Sequence, residues 1–454
     1  KAEITYDGYV GFQNLYKIPA LLNAQEYMDI QDEGRVMDGK EPYTWETYIP
    51  ANDLKDIREG NWKGTNWLKE IQNKDALVQN HAINVIGGSE RSTYSLGFSY
   101  TNQEATMGTP GAMPEMSRYN FRINTDHVII KKKDFDFLKV GETLNYKYQE
   151  MDGSFGTGGI YWNGVHNMLI MSPLMYPYNS KGEYYLYQDQ IDNGYKWDTS
   201  SGANKNPIAY LDYNMNQSRS KSHYMQSSFY AELQPIKNLH IKSQFGYIMS
   251  ASSYRAYLPR YEKLSSSLDN AEDKVTQSMS LSNRWSWDNT ASYSFKIKDH
   301  SIDVLVGQSL EKWGMGESMS ASAIASNFYD FEHAYLSNVS LKANSTSSLK
   351  GDPASAGSIA SFFGRANYNY KEKYMATVIM RADGSSTFAR GHRWGYFPSV
   401  SAGWVITNES FMNNAKWLEF LKLRASWGQN GNCDVSKFQY LSLIASNNNY
   451  GGYP

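Results

Sequence analysis

Apolar and polar residues alternate along many segments of this chain, and this alternation limits its fold more than any other feature. Between residues 362 and 371, Phe362, Ala366 and Tyr368 alternate with Arg365 and Asn367. Successive side chains of a β-strand point to opposite faces, so each such segment has one apolar and one polar face. The pattern recurs at 118–124, 285–297 and 421–427. The segments run for about ten residues, the length of a tilted strand that crosses a hydrocarbon core.

About thirteen strands are predicted from this alternation. They are 3–13, 80–87, 92–102, 118–130, 136–149, 222–235, 238–254, 276–297, 300–314, 358–371, 373–388, 394–407 and 419–430. The links between them alternate in length. Short turns are expected at 88–90, 131–134, 235–238, 298–299 and 371–373, and long loops at about 14–79, 103–117, 150–221, 255–275 and 315–357. Two links depart from this rule, because 389–393 is short on the loop side and 408–419 is long, and expected to be helical, on the turn side.

Short turns on one side and long loops on the other are typical of outer-membrane barrels. We therefore predict an all-β fold, a transmembrane antiparallel β-barrel with long extracellular loops. Short helices are expected inside these loops. The first is predicted to begin at Asn23, because Asn23 and Glu26 have the spacing of a capping box.

The composition agrees with a barrel and argues against several other classes of protein. Aromatic residues make up 15% of the chain, yet the mean hydropathy is -0.60. No run of about 18 apolar residues is present, which excludes a transmembrane helix but not a barrel, whose apolar residues alternate with polar ones. The net charge of -2 gives no electrostatic footprint for nucleic acid. The single cysteine, Cys433, excludes an intrachain disulfide.

Both ends of the sequence are interpreted as cuts through a larger protein. Lys1 leads directly into a strand pattern, and the last residues, Gly451 to Pro454, follow no closing strand. We therefore expect residues 1–454 to form part of one barrel domain.

Several motifs resemble those of one protein family. The strongest run comprises SFFGRANY at 361–368, RADGSS at 381–386, RWGYFPSVSAGW at 393–404 and LKLRASWGQNGN at 421–432. Further matches are ITYDGYVG at 4–11, LLNAQEY at 21–27, NVIGGSE at 84–90 and SRYNFRIN at 117–124. In order and spacing these motifs resemble the SusC/RagA family of TonB-linked outer-membrane transporters.

This resemblance implies a 22-stranded barrel in the outer membrane, of which the chain would supply about thirteen strands. In that family an N-terminal plug fills the barrel, so the plug and the last strands would lie outside this sequence. The implied function is active import of oligosaccharides, glycans or peptides. The implied partners are a SusD-like outer-membrane lipoprotein, which acts as a lid, and the TonB-ExbB-ExbD complex.

The motif run between Arg365 and Pro398 has two interpretations. Its arginines and aspartate could grip a sugar or a carboxylate. Alternatively, 383–386 could interrupt a strand before a tight turn, with the glycine supplying an unusual φ, while the arginines pair with carboxylates inside the lumen. We favour the second, architectural role. The residues concerned are Arg365, Arg381, Asp383, Gly384, Ser385, Arg393, Trp394, Gly395, Tyr396, Phe397 and Pro398.

Aromatic residues in the third predicted loop are candidates for contact with a substrate or a partner protein. Flat rings stack on the apolar faces of sugars and can anchor a protein interface. The candidates are Tyr161, Trp162, Tyr184, Tyr185, Tyr187, Tyr195 and Trp197. Packing of the loop on itself is the competing explanation, and it needs no ligand. Strand aromatics are different, because rings at strand ends sit at the membrane interfaces; Trp285, Tyr293, Tyr374, Tyr396 and Trp404 are candidates for this girdle.

No catalytic or metal site is predicted. The eight histidines are scattered and none has metal-ligand spacing, and no Ser/His/Asp set can be recognised. We therefore expect no enzyme activity and no cofactor. Two alternatives to an active importer remain open: a passive porin or structural outer-membrane barrel, and a soluble glycan-binding β-protein.

Overall fold

A computed structural model of the chain describes residues 2–109, 113–153, 164–197, 205–215, 217–266, 270–340, 347–415, 417–435 and 440–441. Across these residues the chain forms fourteen β-strands and six α-helices. The strands are β1 (Glu3–Gln13), β2 (Ala76–Gly88), β3 (Ser92–Glu104), β4 (Glu115–Lys131), β5 (Asp136–Asp152), β6 (Ser218–Leu233), β7 (Leu239–Leu258), β8 (Lys274–Ile297), β9 (His300–Ile324), β10 (Ser347–Pro353), β11 (Gly357–Tyr370), β12 (Tyr374–Ser385), β13 (Trp394–Val405) and β14 (Lys422–Gly428). The predicted all-β fold is confirmed.

All fourteen strands belong to one antiparallel sheet. The hydrogen-bonded order follows the chain from β1 to β9 and then from β11 to β14, with β10 attached to β9 outside this path. Apart from β10, each strand is therefore paired with the strands next to it along the chain, which is the topology of an up-and-down barrel. Among the described residues, no helix is both long enough and apolar enough to cross a membrane.

The links separate into a turn side and a loop side, as the sequence predicts. On the turn side, β8 and β9 are joined by two residues, 298–299, and β11 and β12 by three, 371–373. Lys298, Lys371 and Glu372 have positive φ angles of 53°, 51° and 56°, which tight hairpin turns require. The link 406–421 is longer and contains two 3-10 turns, Ile406–Asn408 and Ser410–Met412.

The structure extends the sheet further on the loop side than expected. β9 continues to Ile324 instead of ending near 314, and β10 forms within the segment expected to be a loop, 315–357. At Trp313 β9 still pairs with β11, whereas from Glu317 it pairs with β10. Gly314 and Gly316, with φ of +64° and +137°, lie at this change of partner. Residues other than glycine rarely adopt these positive φ angles.

Six helices lie in two of the long loops. They are α1 (Ala24–Met37), α2 (Ala51–Arg58), α3 (Trp67–Glu70), α4 (Gly164–Ile170), α5 (Tyr187–Asp192) and α6 (Pro207–Met215). The predicted capping box opens α1: the Glu26 amide donates to Asn23 Oδ1 at 3.0 Å and the Asn23 amide donates to Glu26 Oε2 at 2.9 Å. These bonds satisfy two of the free amides at the start of the helix.

Candidate functional site

The strand register gives the sheet one apolar and one polar face. Directly paired residues of neighbouring antiparallel strands lie on the same face, and Val304, Ala366, Val378 and Val400 form one such row. At the other end of the sheet, Ile83, Phe98, Phe121 and Tyr146 form a second row of directly paired residues. The alternate positions hold polar residues such as Asn367 and Thr377. In a transmembrane barrel the apolar face meets lipid and the polar face lines the lumen.

Aromatic residues cluster at both ends of the apolar face. All five predicted girdle residues are on it: Trp285, Tyr293, Tyr374, Tyr396 and Trp404. At the turn end, the Tyr374 hydroxyl and Trp404 Nε1 both donate to Glu409 Oε1, at 2.6 and 3.1 Å. Lys373 Nζ lies 3.0 Å from the other oxygen of Glu409. Glu409 therefore connects the link 406–421 to β12 and β13.

On the polar face, the motif run forms a small network with one ion pair. Arg381 Nε lies 2.8 Å from Asp383 Oδ1, and its Nη2 donates to Ser361 Oγ at 2.9 Å. This pair agrees with the architectural interpretation of Arg381. The other two arginines differ from it: Arg393 Nε donates to the Phe388 carbonyl oxygen at 3.2 Å. Arg365 forms no hydrogen bond or ion pair with any residue that the structure describes.

Gly384 corrects one part of that interpretation. β12 continues through Gly384 to Ser385, and Gly384 is not among the residues with positive φ. The motif therefore does not interrupt the strand. Instead, Gly384 pairs with Trp394 of β13, and a Cβ atom at Gly384 would lie 2.8 Å from the indole ring. Glycine is needed for the close approach of this ring, not for an unusual backbone angle.

The two helix-bearing loops pack together on the loop side, and we call their described residues, 14–75, 164–197 and 205–215, the loop cap. Trp67 Nε1 donates to the Ser172 carbonyl oxygen at 2.9 Å, and the Thr65 amide donates to the Pro173 carbonyl oxygen at 2.9 Å. Two buried apolar clusters hold the loops together. One contains Met28, Trp45, Leu54 and Leu174, and the other contains Trp67, Met168, Ile208 and Leu211.

Asp53 is a charged residue that connects the two loops of the loop cap. The Tyr195 hydroxyl donates to Asp53 Oδ2, and the Tyr176 hydroxyl lies 3.4 Å from Asp53 Oδ1. Burial, together with this carboxylate, raises the pKa of Tyr176 to about 12. The same two causes raise the pKa of Tyr195. Both hydroxyls therefore remain protonated donors. Through them, residues 176 and 195 of the third long loop hold α2 of the first long loop.

The predicted contact aromatics fall into three groups. Tyr185 and Tyr195 are each only 4% exposed and belong to the two cap clusters, and Trp197 packs against Trp45 with ring centroids 4.7 Å apart. Tyr184 and Tyr187 are half-buried, and the Tyr184 ring stacks on Tyr178 with ring centroids 5.8 Å apart. Tyr161 and Trp162 lie outside the described residues. The prediction of substrate or partner contact therefore has its best-placed candidates in Tyr184 and Tyr187.

Sequence reasoning missed a hydroxyl-bearing surface on the polar face, which we call the serine face. One row across β6 to β9 consists of Ser222, Ser252, Ser280 and Ser318. Ser252 Oγ and Ser280 Oγ lie 2.8 Å apart. β8 and β9 have 24 and 25 residues, whereas about ten cross a bilayer. The serine face therefore stands beyond the membrane, and the repeated Ser-x-Ser spacing at 276–286 and 318–322 is the signal that could have revealed it.

The site lacks the features of a metal centre. Within the described ranges, no group of three or more His, Cys, Asp or Glu side chains could hold a metal ion. What the arrangement offers is a polar wall, an extension rich in hydroxyl groups and a folded cap on the same side. These features present hydrogen-bonding groups to a hydrated solute.

Comparison with known proteins shows similarity along almost the whole chain. The TonB-dependent receptor P26 of Formosa agariphila is 27% identical over an alignment of 455 residues, gaps included. The alignment covers 99% of this chain and 41% of that protein. The TonB-dependent receptor SusC of Bacteroides thetaiotaomicron is 24% identical over 468 residues, 99% of this chain and 42% of SusC. The chain thus spans about two fifths of the length of these relatives. They are receptors, not enzymes. No family model matches the chain.

The fold has a counterpart among solved structures. The RagAB peptide importer in its open-open state superposes with a TM-score of 0.78 at 21% identity, covering 100% of this chain and 49% of that one. The RagAB peptide transporter superposes with a TM-score of 0.77 over 99% of this chain. The resemblance predicted from the motifs is therefore confirmed: the chain is SusC/RagA-like, with the antiparallel strands of an outer-membrane TonB-dependent receptor barrel.

Proposed function

We propose that this chain forms part of the wall of an outer-membrane importer for oligosaccharides, glycans or peptides, energised by TonB-ExbB-ExbD and covered by a SusD-like lipoprotein. The observation that carries the proposal is the match to TonB-dependent receptors over 99% of the chain. The relatives are more than twice as long, so we propose that a plug and further strands complete the barrel from outside residues 1–454. One relative in structure is named a peptide importer, which supports peptides beside glycans as substrates.

In this proposal the polar face and the serine face line the route of the substrate. The hydroxyl group of serine can both donate and accept hydrogen bonds, and it carries no charge. A solute can therefore exchange its hydration shell for these side chains at little cost and still move on. Tyr184 and Tyr187 of the loop cap are proposed to contact the substrate or the lid, because rings of this kind stack on sugars and anchor protein interfaces.

The test of the function is growth of a strain that lacks the full-length gene. The strain is supplied with single glycans or peptides as the limiting nutrient, with and without a plasmid that restores the gene. We expect one class of nutrient to require the gene, and we expect that requirement to disappear in cells without TonB, where no uptake occurs. Gene-dependent uptake that continues without TonB would instead indicate a passive porin. Recovery of the protein without detergent would indicate the soluble alternative.

The proposed route is tested by two pairs of substitutions on the same strands. Ser280→Leu with Ser318→Leu places bulk on the serine face, whereas Met279→Leu with Met319→Leu alters neighbours that point the opposite way. We expect uptake to fall severalfold only in the serine pair, with equal amounts of both variants in the outer membrane. An equal effect of both pairs would contradict the assignment of the serine face.

A further inference from the structure

The five short turns carry an excess of positive charge. Counted with the strand-end residues next to them, as 88–91, 131–136, 234–238, 296–299 and 371–373, they together hold nine Lys or Arg and five Asp or Glu residues. Every turn contributes at least one cation: Arg91, Lys132, Lys237, Lys298 and Lys371 are one from each. All five of these side chains are exposed. We call these segments the basic turns.

Most of this charge is not neutralised within the protein. Lys371 Nζ lies 3.3 Å from Asp299 Oδ2, and Lys373 Nζ lies 3.0 Å from Glu409 Oε2. The other cations of the basic turns form no ion pair with a carboxylate of the described residues. The three consecutive lysines, Lys131, Lys132 and Lys133, are all exposed. An anion at this end of the barrel would therefore meet unpaired ammonium groups.

The opposite end of the molecule has the opposite excess. The first long loop, residues 14–75, holds eight Lys or Arg and twelve Asp or Glu residues. The positive charge is thus a property of the basic turns and not of exposed residues in general. The net charge of -2 conceals this separation.

The position of the basic turns identifies the class of partner. Tyr370 and Tyr374, aromatic residues of the apolar face, directly flank the last basic turn. Rings at strand ends sit at the membrane interface, so the basic turns lie beside that interface. From the first turn to the last there are eight steps between neighbouring strands, or about 40 Å at ~4.8 Å a strand. A globular partner would touch one sector of such an arc, whereas a lipid leaflet touches all of it.

We propose that the basic turns bind the headgroups of anionic phospholipids in the leaflet that meets the turn side of the barrel. Lysine ammonium groups near a membrane surface attract anionic headgroups over a distance set by ionic strength. The lysines then hold the wall at a fixed depth, with the turn-end aromatics at the interface. This inference concerns the lipid surroundings and does not depend on the transported substrate.

The test uses the full-length receptor, purified in detergent and placed in nanodiscs of phosphatidylethanolamine with a minor fraction of phosphatidylglycerol. Lipid that remains with the protein after partial delipidation is quantified by mass spectrometry. We expect phosphatidylglycerol to be enriched over the bulk mixture, by about twofold or more, and we expect high salt to remove the enrichment. No enrichment for the wild-type protein, or enrichment that resists salt, would overturn the proposal.

Two triple variants locate the effect. Lys131→Gln, Lys132→Gln and Lys133→Gln remove three charges from one basic turn. Lys17→Gln, Lys63→Gln and Lys74→Gln remove the same charge from exposed lysines of the first long loop. We expect only the first triple to lower the enrichment, and both to keep the shift in mobility that folded barrels show on unboiled gels. An equal decrease in both variants would mean that net charge, and not the basic turns, attracts the lipid.

Discussion

At the scale of single residues, several glycines of the barrel wall lie under an aromatic ring, and each such pair fixes how closely two strands approach. A Cβ at Gly307 would lie 2.5 Å from the Phe363 ring, and one at Gly384 would lie 2.8 Å from the Trp394 ring. Both rings belong to the motif run. These motif residues therefore contribute to packing between strands, since each ring can lie this close to the backbone only where the facing residue is glycine.

Replacing Gly384 by alanine should destabilise the barrel by about 1–3 kcal/mol, because the Trp394 ring must move to admit the methyl group. The measurement is urea unfolding followed by tryptophan fluorescence. Gly364→Ala is the matched control: it lies in the neighbouring strand, and its nearest contact would be an ordinary 3.7 Å. If the two variants unfold alike, the ring contact does not explain the glycine.

The Tyr195 hydroxyl should contribute to the local stability of the loop cap. Tyr195→Phe keeps the buried ring but removes a donor to Asp53, which should cost about 1–3 kcal/mol because the acceptor is a carboxylate. We expect faster amide hydrogen exchange in α2 and in residues 193–197, with the strands unaffected. Tyr187→Phe, which removes a hydroxyl without a described partner, should leave the exchange unchanged. Equal exchange in both variants would contradict the role of Asp53.

The sequence predicted residue roles only where a pattern carries them. Capping at Asn23 follows from the spacing of two side chains, and the structure confirms it. The role of Gly384 depends instead on a ring that is ten residues away and reaches it only through strand pairing. No local rule could separate that requirement from the need for an unusual φ. Arg393 donates to the Phe388 carbonyl oxygen and not to a carboxylate, and its residue type alone does not reveal that partner.

At the scale of elements, Glu409 holds the longest link of the turn side against two strands. Hydrogen bonds from Tyr374, Lys373 and Trp404 lower its pKa from 4.5 to about 2. A lowered carboxyl pKa means that the ionised group stabilises the fold above its ordinary pKa and loses this effect as the pH falls toward about 2.

Glu409→Gln should therefore lower the urea midpoint at about pH 6, and the difference from the wild-type protein should shrink between about pH 5 and pH 2. The other carboxyl groups are common to both proteins and cancel in the comparison. Glu372→Gln serves as the control, because Glu372 lies on an adjacent turn, is exposed and forms no ion pair with a described residue. A difference for Glu409→Gln that does not vary with pH would exclude the ionised carboxylate as its cause.

Strand existence could be predicted better than strand ends. Within the membrane one face must be apolar, so alternation marks each strand; β11, β12 and β13 begin within a residue of their predicted starts. Beyond the membrane both faces can be polar, and the alternation disappears. The outer half of β9 and all of β10 were therefore expected to be loop. Their pairing comes from backbone hydrogen bonds, which the alternation of apolar and polar residues does not mark.

At the scale of the whole molecule, the division into two faces is what makes the sheet a membrane wall, and it can be tested at one pair of adjacent residues. Ala366 lies midway between Phe362 and Tyr370 on the apolar face, beside Val304 and Val378. Ala366→Arg should destabilise the barrel by about 2–4 kcal/mol, since the charge would enter the hydrocarbon. Asn367→Arg adds the same charge to the polar face and should be tolerated.

Both variants are measured by urea unfolding in lipid vesicles. Ala425→Arg should behave as Ala366→Arg does, because Ala425 pairs with Ala402 on the apolar face. Equal tolerance at all three positions would mean that the faces are assigned the wrong way or that the sheet does not meet lipid.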